Sequence, residues 1–286
     1  MTAVLPVRNR ERSLARAIDS VLAQSYPAVD LIVVDDGSTD GTPRILRSYG
    51  KDIRVLTQPP LGVYPARNLA LRSTTADLVA FIDSDDAWRP DRLAQQVPLI
   101  VGREVGLVYG NALVHGSHRT TFDITRPHRG RCADQLVWGN FVPTVTALVR
   151  RRALGQFSER APLSADYLAW FRIASHHEID YVEEIVADYT VHTGGISYDL
   201  TRALQTRIQL FTDELENADD PRTRSQLRRL LFNLAGHLAL VSARGRRGDL
   251  RLAGRTMLGA GGRASPVWAG QLGLHLASAR LRRLAG

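Results

Sequence analysis

Two continuous apolar runs in this sequence stop abruptly at acidic residues. Residues 31–34 lead directly into two aspartates, and residues 79–82 lead into three aspartates within the next four positions. Short apolar runs without alternation predict strands that are buried on both faces, as in a parallel sheet. The carboxyl ends of such strands are where open α/β sheets bind ligands. The sequence therefore predicts an α/β fold with an acidic binding site at the ends of two strands.

Segments of strand and helix character alternate along the first 110 residues. Strands are predicted at residues 2–5, 31–34, 53–56, 79–82 and 106–109, and helices at 14–22, 43–49, 65–71 and 90–100. Further on, the pattern predicts a strand at 145–149, a helix at 168–174 and short strands within 179–191, whereas residues 111–140 indicate only short strands and loops. Alternation of this kind is typical of a mostly parallel α/β sheet.

The composition is that of an ordinary globular protein, with 44% hydrophobic and 23% charged residues among 286. The single cysteine, Cys132, excludes an intrachain disulfide and is expected to be a small buried residue. The N-terminus has no pattern of a secretory signal. The longest apolar helical stretch, near residues 230–241, is interrupted by Asn233 and His237 and is too short to span a bilayer. These features predict a cytoplasmic protein.

The net charge of +8 is concentrated in the C-terminal part of the chain. Residues 200–286 contain 15 arginines and 6 acidic residues, whereas the rest of the chain is nearly neutral. This part is rich in leucine and alanine, with breaks near residues 219–221, 245–248 and 261–262, so we expect a basic helical extension. A basic tail also suits nucleic-acid binding, but the neutral body and the absence of a nucleic-acid motif argue against that class.

Apolar residues in this extension recur at helical spacing. They are Leu227, Leu230, Leu231, Leu234, Leu238 and Val241. One interpretation is a helix that packs on the first domain or on a second subunit. The other is a helix that lies on an anionic membrane surface, with arginines at the lipid headgroups. The second interpretation predicts peripheral contact with the inner face of the membrane.

Asp83-Ser84-Asp85 is an Asp-x-Asp pattern, which can hold a divalent cation that also contacts a diphosphate. The alternative is a solvated acidic loop before a helix, since Pro90 suits a first helical position. Several other motifs fail. No glycine-rich turn follows the first strand, no phosphate-binding loop with Gly-Lys-Ser/Thr is present, and a calcium loop starting at Asp36 would need a glutamate where Arg47 stands.

Six segments, taken in order, carry a more specific signal. They are Pro6-Val7-Arg8-Asn9, LIVVDDGSTDGT at 31–42, Gly62 with Ala66-Arg67-Asn68, FIDSDDAWRPDRL at 81–93, Gly155-Gln156-Phe157 with residues 166–172, and Tyr189-Thr190-Val191-His192 with Ser197. In this order they resemble the family 2 glycosyltransferases over residues 2–197. The resemblance implies a GT-A fold at residues 1–198, which is a Rossmann-like α/β domain with a mostly parallel sheet and flanking helices, followed by the helical extension at 199–286.

The resemblance also implies the reaction. It implies an inverting, metal-dependent transfer of a sugar from a nucleoside-diphosphate sugar to an acceptor hydroxyl, in cell-envelope, polysaccharide or glycoconjugate synthesis. The Gln-x-x-Arg-Trp motif of processive sugar polymerases is absent, so we expect a non-processive enzyme. The expected acceptor is a glycan, a lipid-linked molecule or a small molecule. No nucleic acid is expected as a partner, and a homo-oligomer is left open.

In the resembling family, the matching residues bind the donor. Here they are Pro6, Arg8, Asn9, Asp36, Arg67, Asp83 and Ser84. Asp36 would accept the ring N–H of uracil or thymine, which favours UDP- or dTDP-sugars, although an aspartate before Gly37 also suits a turn. Asp83 would bond the ribose. Asp85, with His192, would hold Mn²⁺ or Mg²⁺ beside the diphosphate.

Asp166 is the candidate general base. In an inverting transfer, one carboxylate takes the proton of the attacking hydroxyl, while a metal carries the charge of the leaving diphosphate. Asp166 opens a predicted helix, where a carboxylate is also a good N-cap. In the family a glutamate usually precedes this aspartate, and Ala165 stands there instead. A sugar-nucleotide-binding protein that has lost catalysis is therefore an alternative.

Overall fold

The computed structural model describes residues 1–190, 200–242, 252–253 and 255–257. The chain forms two compact units, Met1–Gly195 and Ile196–Gly286. The domain boundary expected between residues 198 and 199 falls within 191–199, outside the described residues.

Within residues 1–190, the first unit contains an eight-stranded sheet with flanking helices. Its strands are β1 (Thr2–Val7), β2 (Asp30–Asp35), β3 (Arg54–Thr57), β4 (Leu78–Phe81), β5 (Ala87–Trp88), β6 (Val105–Val114), β7 (Leu148–Arg150) and β8 (Glu178–Tyr189). Its helices are α1 (Leu14–Leu22), α2 (Thr42–Ser48), α3 (Val63–Arg72), α4 (Arg92–Ile100), α5 (Thr121–Ile124), α6 (Ala133–Leu136), α7 (Arg151–Leu154) and α8 (Ala165–His176). Short 3-10 turns lie at Gly50–Asp52 and Thr144–Thr146. The strand order is β3-β2-β1-β4-β7-β6-β8-β5.

The half of the sheet that ends in carboxylates is parallel. β1 pairs with β2 and β4, and β2 pairs with β3. Val7 is level with Asp35, and Asp35 is level with Thr57, so β1, β2 and β3 end at one edge. Helices α1, α2 and α3 return the chain between these strands, as parallel pairing requires. β1 and β4 are buried throughout, and in β2 only the first residue is exposed, so the predicted buried strands are confirmed.

The other half of the sheet is mixed. β7 is antiparallel to β4 and β6, while β6 and β8 are parallel. The prediction of several short strands between residues 179 and 191 is wrong, because β8 is one long strand. Gly110 pairs with Val182 but the next residue, Asn111, pairs with Ile185. The two intervening glutamates bulge out of the ladder and are exposed, so the sequence pattern is interrupted although the strand is not.

Element ends differ from the prediction in several places. β1 includes residues 6 and 7, α3 begins two residues before Pro65, and α4 begins two residues after Pro90. The late start of α4 has a physical cause, because β5 pairs with β8 immediately before it. Residues 111–140, expected as short strands and loops, extend β6 to Val114 and then include the short helices α5 and α6.

The described part of the second unit is helical. It includes α9 (Leu200–Asn217) and α10 (Pro221–Ser242), which pack against each other, and the predicted break near residues 219–221 separates them. Of the six apolar residues at helical spacing, all but Val241 are buried. A side chain already removed from water has little to gain from entering a bilayer. Packing on the first domain or on a second subunit stays a prediction, and so does membrane contact through the arginines.

Among the described helices, none combines the length and the apolar character that crossing a bilayer requires. The breaks expected near residues 245–248 and 261–262 lie outside the described residues.

Candidate active site

The Asp36 carboxylate, directly after β2, fastens the loop that precedes α3. Its Oδ1 accepts hydrogen bonds from Gln58 Nε2 at 2.7 Å and from the Leu61 main-chain N–H at 2.8 Å, and its Oδ2 accepts one from the Gly62 N–H at 2.9 Å. A carboxylate offers about four acceptor positions, so the described residues leave about one unused, on Oδ2. Asp35 instead stabilises the turn after β2, because its Oδ1 accepts from the Ser38 N–H at 2.9 Å.

Asn9 joins the loop after β1 to the turn after β2. Its main-chain N–H donates to Ser38 Oγ at 3.0 Å, and its Oδ1 accepts from the Thr39 N–H at 2.8 Å. Asn9 has a φ of 52°, a left-handed conformation that asparagine tolerates better than most residues. Arg8 beside it is exposed, whereas Pro6 is buried within β1. Of these three residues, Arg8 and Asn9 are thus exposed to solvent, and Pro6 is not.

Arg67 of α3 and Asp83 after β4 form an ion pair at the same edge, with Arg67 Nη2 2.6 Å from Asp83 Oδ1. Arg67 is only 3% exposed, and its guanidinium lies 5.6–5.8 Å from the ring centres of Tyr64, Phe81 and Phe157. Burial acts to lower the pKa of Arg67, but the charges of Asp83 and nearby groups outweigh it and raise the pKa. Arg67 is therefore a charged group held inward by Asp83.

The carboxylates after β4 repel one another. Partial burial is the main cause that raises the pKa of Asp83; Asp85 and Asp166 raise it further, and Arg67 offsets only part of this. Asp85 Oδ2 lies 3.6 Å from Arg10 Nη2, and its main-chain carbonyl accepts hydrogen bonds from Arg16 and Thr190. Opposite charge near these carboxylates would relieve the repulsion.

Asp83 and Asp85 fit a divalent cation in their chemistry, since Mg²⁺ and Mn²⁺ prefer carboxylate and other oxygen ligands. Within the described residues, no three His, Cys, Asp or Glu side chains are grouped so that they could hold a metal ion by themselves. His192, the second expected ligand, lies outside the described residues. Mg²⁺ is often bound by one or two carboxylates together with substrate phosphates. The residues present therefore fit a site that a diphosphate would complete.

Asp86 is a feature of the site that the sequence reasoning missed. Its side chain is 1% exposed; Oδ1 accepts from the Thr190 N–H at 2.7 Å, while Oδ2 has no hydrogen-bond partner among the described residues. Burial, with added repulsion from Asp83 and Asp85, raises the pKa of Asp86 to about 9. Asp86 is therefore protonated near neutral pH. In the sequence nothing distinguishes Asp86 from Asp83 and Asp85, so its raised pKa could not be predicted there.

Asp86→Asn is expected to make the metal-free protein more stable than the wild type near pH 8 and to change little near pH 4. A raised carboxyl pKa means that the folded state binds the proton more tightly, so wild-type stability falls as pH rises from about 4 towards 9. Asparagine is neutral throughout and removes this loss. Melting in chelator at both pH values should show a gain of a few degrees at the higher pH only. An identical pH dependence of the two proteins would contradict the assignment.

Asp166 lies in the first turn of α8. It is distant from Arg67 and Asp83 in the sequence but near them in space, since its charge acts to raise the pKa of both. Its Oδ1 accepts from Tyr64 Oη at 3.1 Å and from the Tyr167 N–H at 2.9 Å, and its Oδ2 accepts from Thr144 Oγ1 at 2.6 Å. It is not an N-cap, because α8 begins at Ala165.

Asn68, next to Arg67, is a second residue whose role the sequence reasoning did not assign. It is fully buried, and its side chain exchanges two hydrogen bonds with the main chain of Phe157, both at 2.9 Å, and donates to Glu159 Oε1 at 2.7 Å. Asn68 thus fastens the segment before α8 onto α3.

Ser84 is buried, and its carbonyl accepts from Ser13 Oγ at 2.8 Å, which anchors the acidic loop to the residue before α1.

The sequence profile described as Glycosyl transferase family 2 matches residues 2–157, which is more than half of the chain. The chain belongs to this family, as the ordered motifs predicted, and it is an enzyme that transfers sugars.

Two relatives in the family cover most of the chain. UDP-Glc:alpha-D-GlcNAc-diphosphoundecaprenol beta-1,3-glucosyltransferase WfgD of Escherichia coli is 26% identical over 221 residues, which are 76% of this chain and 87% of the relative. The putative teichuronic acid biosynthesis glycosyltransferase TuaG of Bacillus subtilis strain 168 is 28% identical over 210 residues, which are 71% of this chain and 83% of the relative.

The fold is also similar to solved structures. TarS 1-349 of S. aureus has a TM-score of 0.68 at 18% identity, and the match covers 91% of this chain and 79% of that chain. The mannosyltransferase PcManGT from Pyrobaculum calidifontis, in complex with GDP-Man and Mn2+, has a TM-score of 0.63 at 21% identity and covers 97% and 79%. These similarities confirm the predicted GT-A α/β fold.

Proposed function

We propose that this protein is an inverting, non-processive glycosyltransferase that moves a sugar from a nucleoside-diphosphate sugar to an acceptor hydroxyl, with Asp166 as the general base. The observation that carries the proposal is the place of the Asp166 carboxylate. It lies within electrostatic reach of Asp83 and Arg67 at the carboxylate edge of the sheet, with an acceptor position on Oδ2 that the described residues do not use.

The donor would bind along the ends of β1, β2 and β4. The remaining acceptor position of Asp36 would receive the ring N–H of the base. Arg8, in the loop after β1, is exposed. Asp83 would bond the ribose while Arg67 keeps its carboxylate in place. Asp85 would hold Mn²⁺ or Mg²⁺, with His192 as the second ligand. That ion would offset the negative charge of the leaving diphosphate.

Transfer would proceed as a single displacement. Asp166 Oδ2 takes the proton of the acceptor hydroxyl as the hydroxyl oxygen forms its bond to the anomeric carbon. The bond from that carbon to the diphosphate oxygen breaks at the opposite face, and the nucleoside diphosphate leaves with the electron pair. Attack from the face opposite the leaving group inverts the anomeric configuration. Ala165 supplies no second carboxylate, and this mechanism needs none.

The relatives support a class of acceptor. WfgD is named for a sugar carried on diphosphoundecaprenol, and TuaG for teichuronic acid biosynthesis. A lipid-linked sugar used in building the cell envelope is therefore the proposed acceptor.

We expect UDP and UDP-glucose to stabilise the protein more than ADP and ADP-glucose in a thermal-shift screen with Mn²⁺ or Mg²⁺. Adenine has no ring N–H that matches uracil, and a buried carboxylate without its partner costs about 1–3 kcal/mol, so UDP should bind about 10-fold more tightly or better. Equal stabilisation by UDP and ADP would contradict the role of Asp36. No stabilisation by any nucleotide sugar would contradict the proposed donor class.

A further inference from the structure

We infer that Tyr64 and Thr144 are positioning residues for Asp166: they turn its carboxylate so that Oδ2, and not Oδ1, is the atom that takes the acceptor proton. The inference rests on the proposed function, in which Asp166 is the base. It assigns the reacting oxygen and the two hydroxyl groups that select it.

The hydrogen bonds distinguish the two oxygens of Asp166. Oδ1 accepts from the Tyr64 hydroxyl and from the Tyr167 main-chain N–H, so both of its acceptor positions are used. Oδ2 accepts from the Thr144 hydroxyl alone among the described residues, at 2.6 Å. One acceptor position therefore remains on Asp166, and it is on Oδ2.

The Tyr64 hydroxyl is held in a fixed place. The ring is 6% exposed, its centre lies 5.8 Å from that of Phe157, and the Arg67 guanidinium lies 5.6 Å from it. Burial, together with the charge of Asp166, raises the pKa of Tyr64, so the hydroxyl keeps its proton and remains a donor. Tyr64 lies in the first turn of α3, and this places its ring beside Phe157 and the Arg67 guanidinium.

The Thr144 hydroxyl is fixed by its own turn. Thr144 opens the 3-10 turn Thr144–Thr146, which the Thr146 N–H and hydroxyl close by donating to the Pro143 carbonyl at 3.0 and 2.9 Å. Thr144 therefore approaches Asp166 from a rigid loop, while Tyr64 approaches from a helix. Two donors on separate elements leave the carboxylate little freedom to rotate.

The same helix links the base to the donor side of the site. Tyr64 and Arg67 are three residues apart on α3, so they lie on one face of the helix. Tyr64 bonds Asp166, and Arg67 bonds Asp83. A shift of α3 would therefore move both carboxylates together, so the distance between the base and the donor-binding carboxylate would be kept.

The test uses Tyr64→Phe and Thr144→Val, which remove one hydroxyl each and keep the shape of the side chain. The rate of nucleoside diphosphate release is measured with the nucleotide sugar that stabilises the protein most, chosen from a panel of UDP-, dTDP- and GDP-sugars. We expect kcat to fall about 10-fold in each variant, because a hydrogen bond to a charged group is lost, while KM for the donor is unchanged. The acidic limb of the kcat profile should move to higher pH, because the ionised carboxylate has lost a donor.

Two matched variants separate positioning from a general loss of structure. Thr144→Ser keeps the hydroxyl and should restore kcat and the pH profile. Tyr49→Phe removes a tyrosine hydroxyl outside the site, which donates to Asp19 Oδ1 at 2.8 Å. This variant should keep the wild-type kcat and pH profile. Donor binding by calorimetry gives a readout that does not depend on turnover, and it should be unchanged in all four variants.

Several results would overturn the inference. It fails if Tyr64→Phe and Thr144→Val keep the wild-type kcat and pH profile. It also fails if they change only KM for the donor, which would place the two hydroxyl groups in the donor site. Loss of activity in Asp166→Asn with normal Tyr64→Phe would defeat this inference and leave the proposed base intact. Normal activity in Asp166→Asn would defeat the proposed base itself.

Discussion

Asp166→Asn is expected to lower kcat by about 10²–10⁴-fold, the usual contribution of a positioned proton acceptor. Asparagine keeps an oxygen for the Tyr64 hydroxyl and a nitrogen that the Thr144 oxygen can accept from, so α8 should fold as before. Donor affinity should change little, because the proposed base contacts the acceptor hydroxyl and not the donor. Single-turnover rates with saturating donor, together with donor binding by calorimetry, measure the two effects separately.

Asp123→Asn is the matched control for this variant. Asp123 also lies in the first turn of a helix and also accepts from a threonine hydroxyl, that of Thr120 at 2.9 Å, but it belongs to α5. It should have wild-type activity. If Asp166→Asn instead keeps its rate and loses donor affinity, Asp166 is a donor-binding residue and the base is another group.

Asp85→Ala is expected to abolish the metal dependence of donor binding and nearly all transfer, while the protein stays folded. Removing one of the clustered carboxylates reduces the repulsion that raises the pKa of Asp83, so stability in chelator should be unchanged or higher. Without a ligand for the ion, the diphosphate would leave with its charge uncompensated, and several kcal/mol of transition-state stabilisation would be lost. Donor binding with and without Mn²⁺, and melting in chelator, provide the measurements.

Asp91→Ala removes the same charge six positions further along the chain, at an exposed residue just before α4. It should bind donor and metal as the wild type does. Full transfer activity of Asp85→Ala in the presence of chelator would show that Asp85 holds no essential ion.

The sequence alone determined the class of fold and the edge of the sheet that carries the site. Burial on both faces requires continuous apolar residues, so β2 and β4 can be recognised without their neighbours. The carboxylates that follow them must then lie at strand ends, which is where Asp36, Asp83 and Asp85 are found. The order of the six motifs was sufficient to identify the family.

Local patterns failed where pairing partners decide the structure. The two glutamates in the middle of β8 resemble a break, yet the strand continues because β6 accommodates them with a register shift. Likewise Asp85 and Asp86 are chemically identical neighbours in the sequence. Only the second faces the interior, where burial raises its pKa to about 9.

Which groups surround the base was decided by the tertiary structure alone. Tyr64 lies 102 residues from Asp166 and Thr144 lies 22 residues from it, and neither belongs to a recognisable motif. Their hydroxyl groups meet Asp166 because the N-terminus of α3, the turn before β7 and the N-terminus of α8 converge on one edge of the sheet. Such convergence depends on the packing of whole elements, and a hydrogen bond between side chains leaves no periodic signal in the sequence from which it could be predicted.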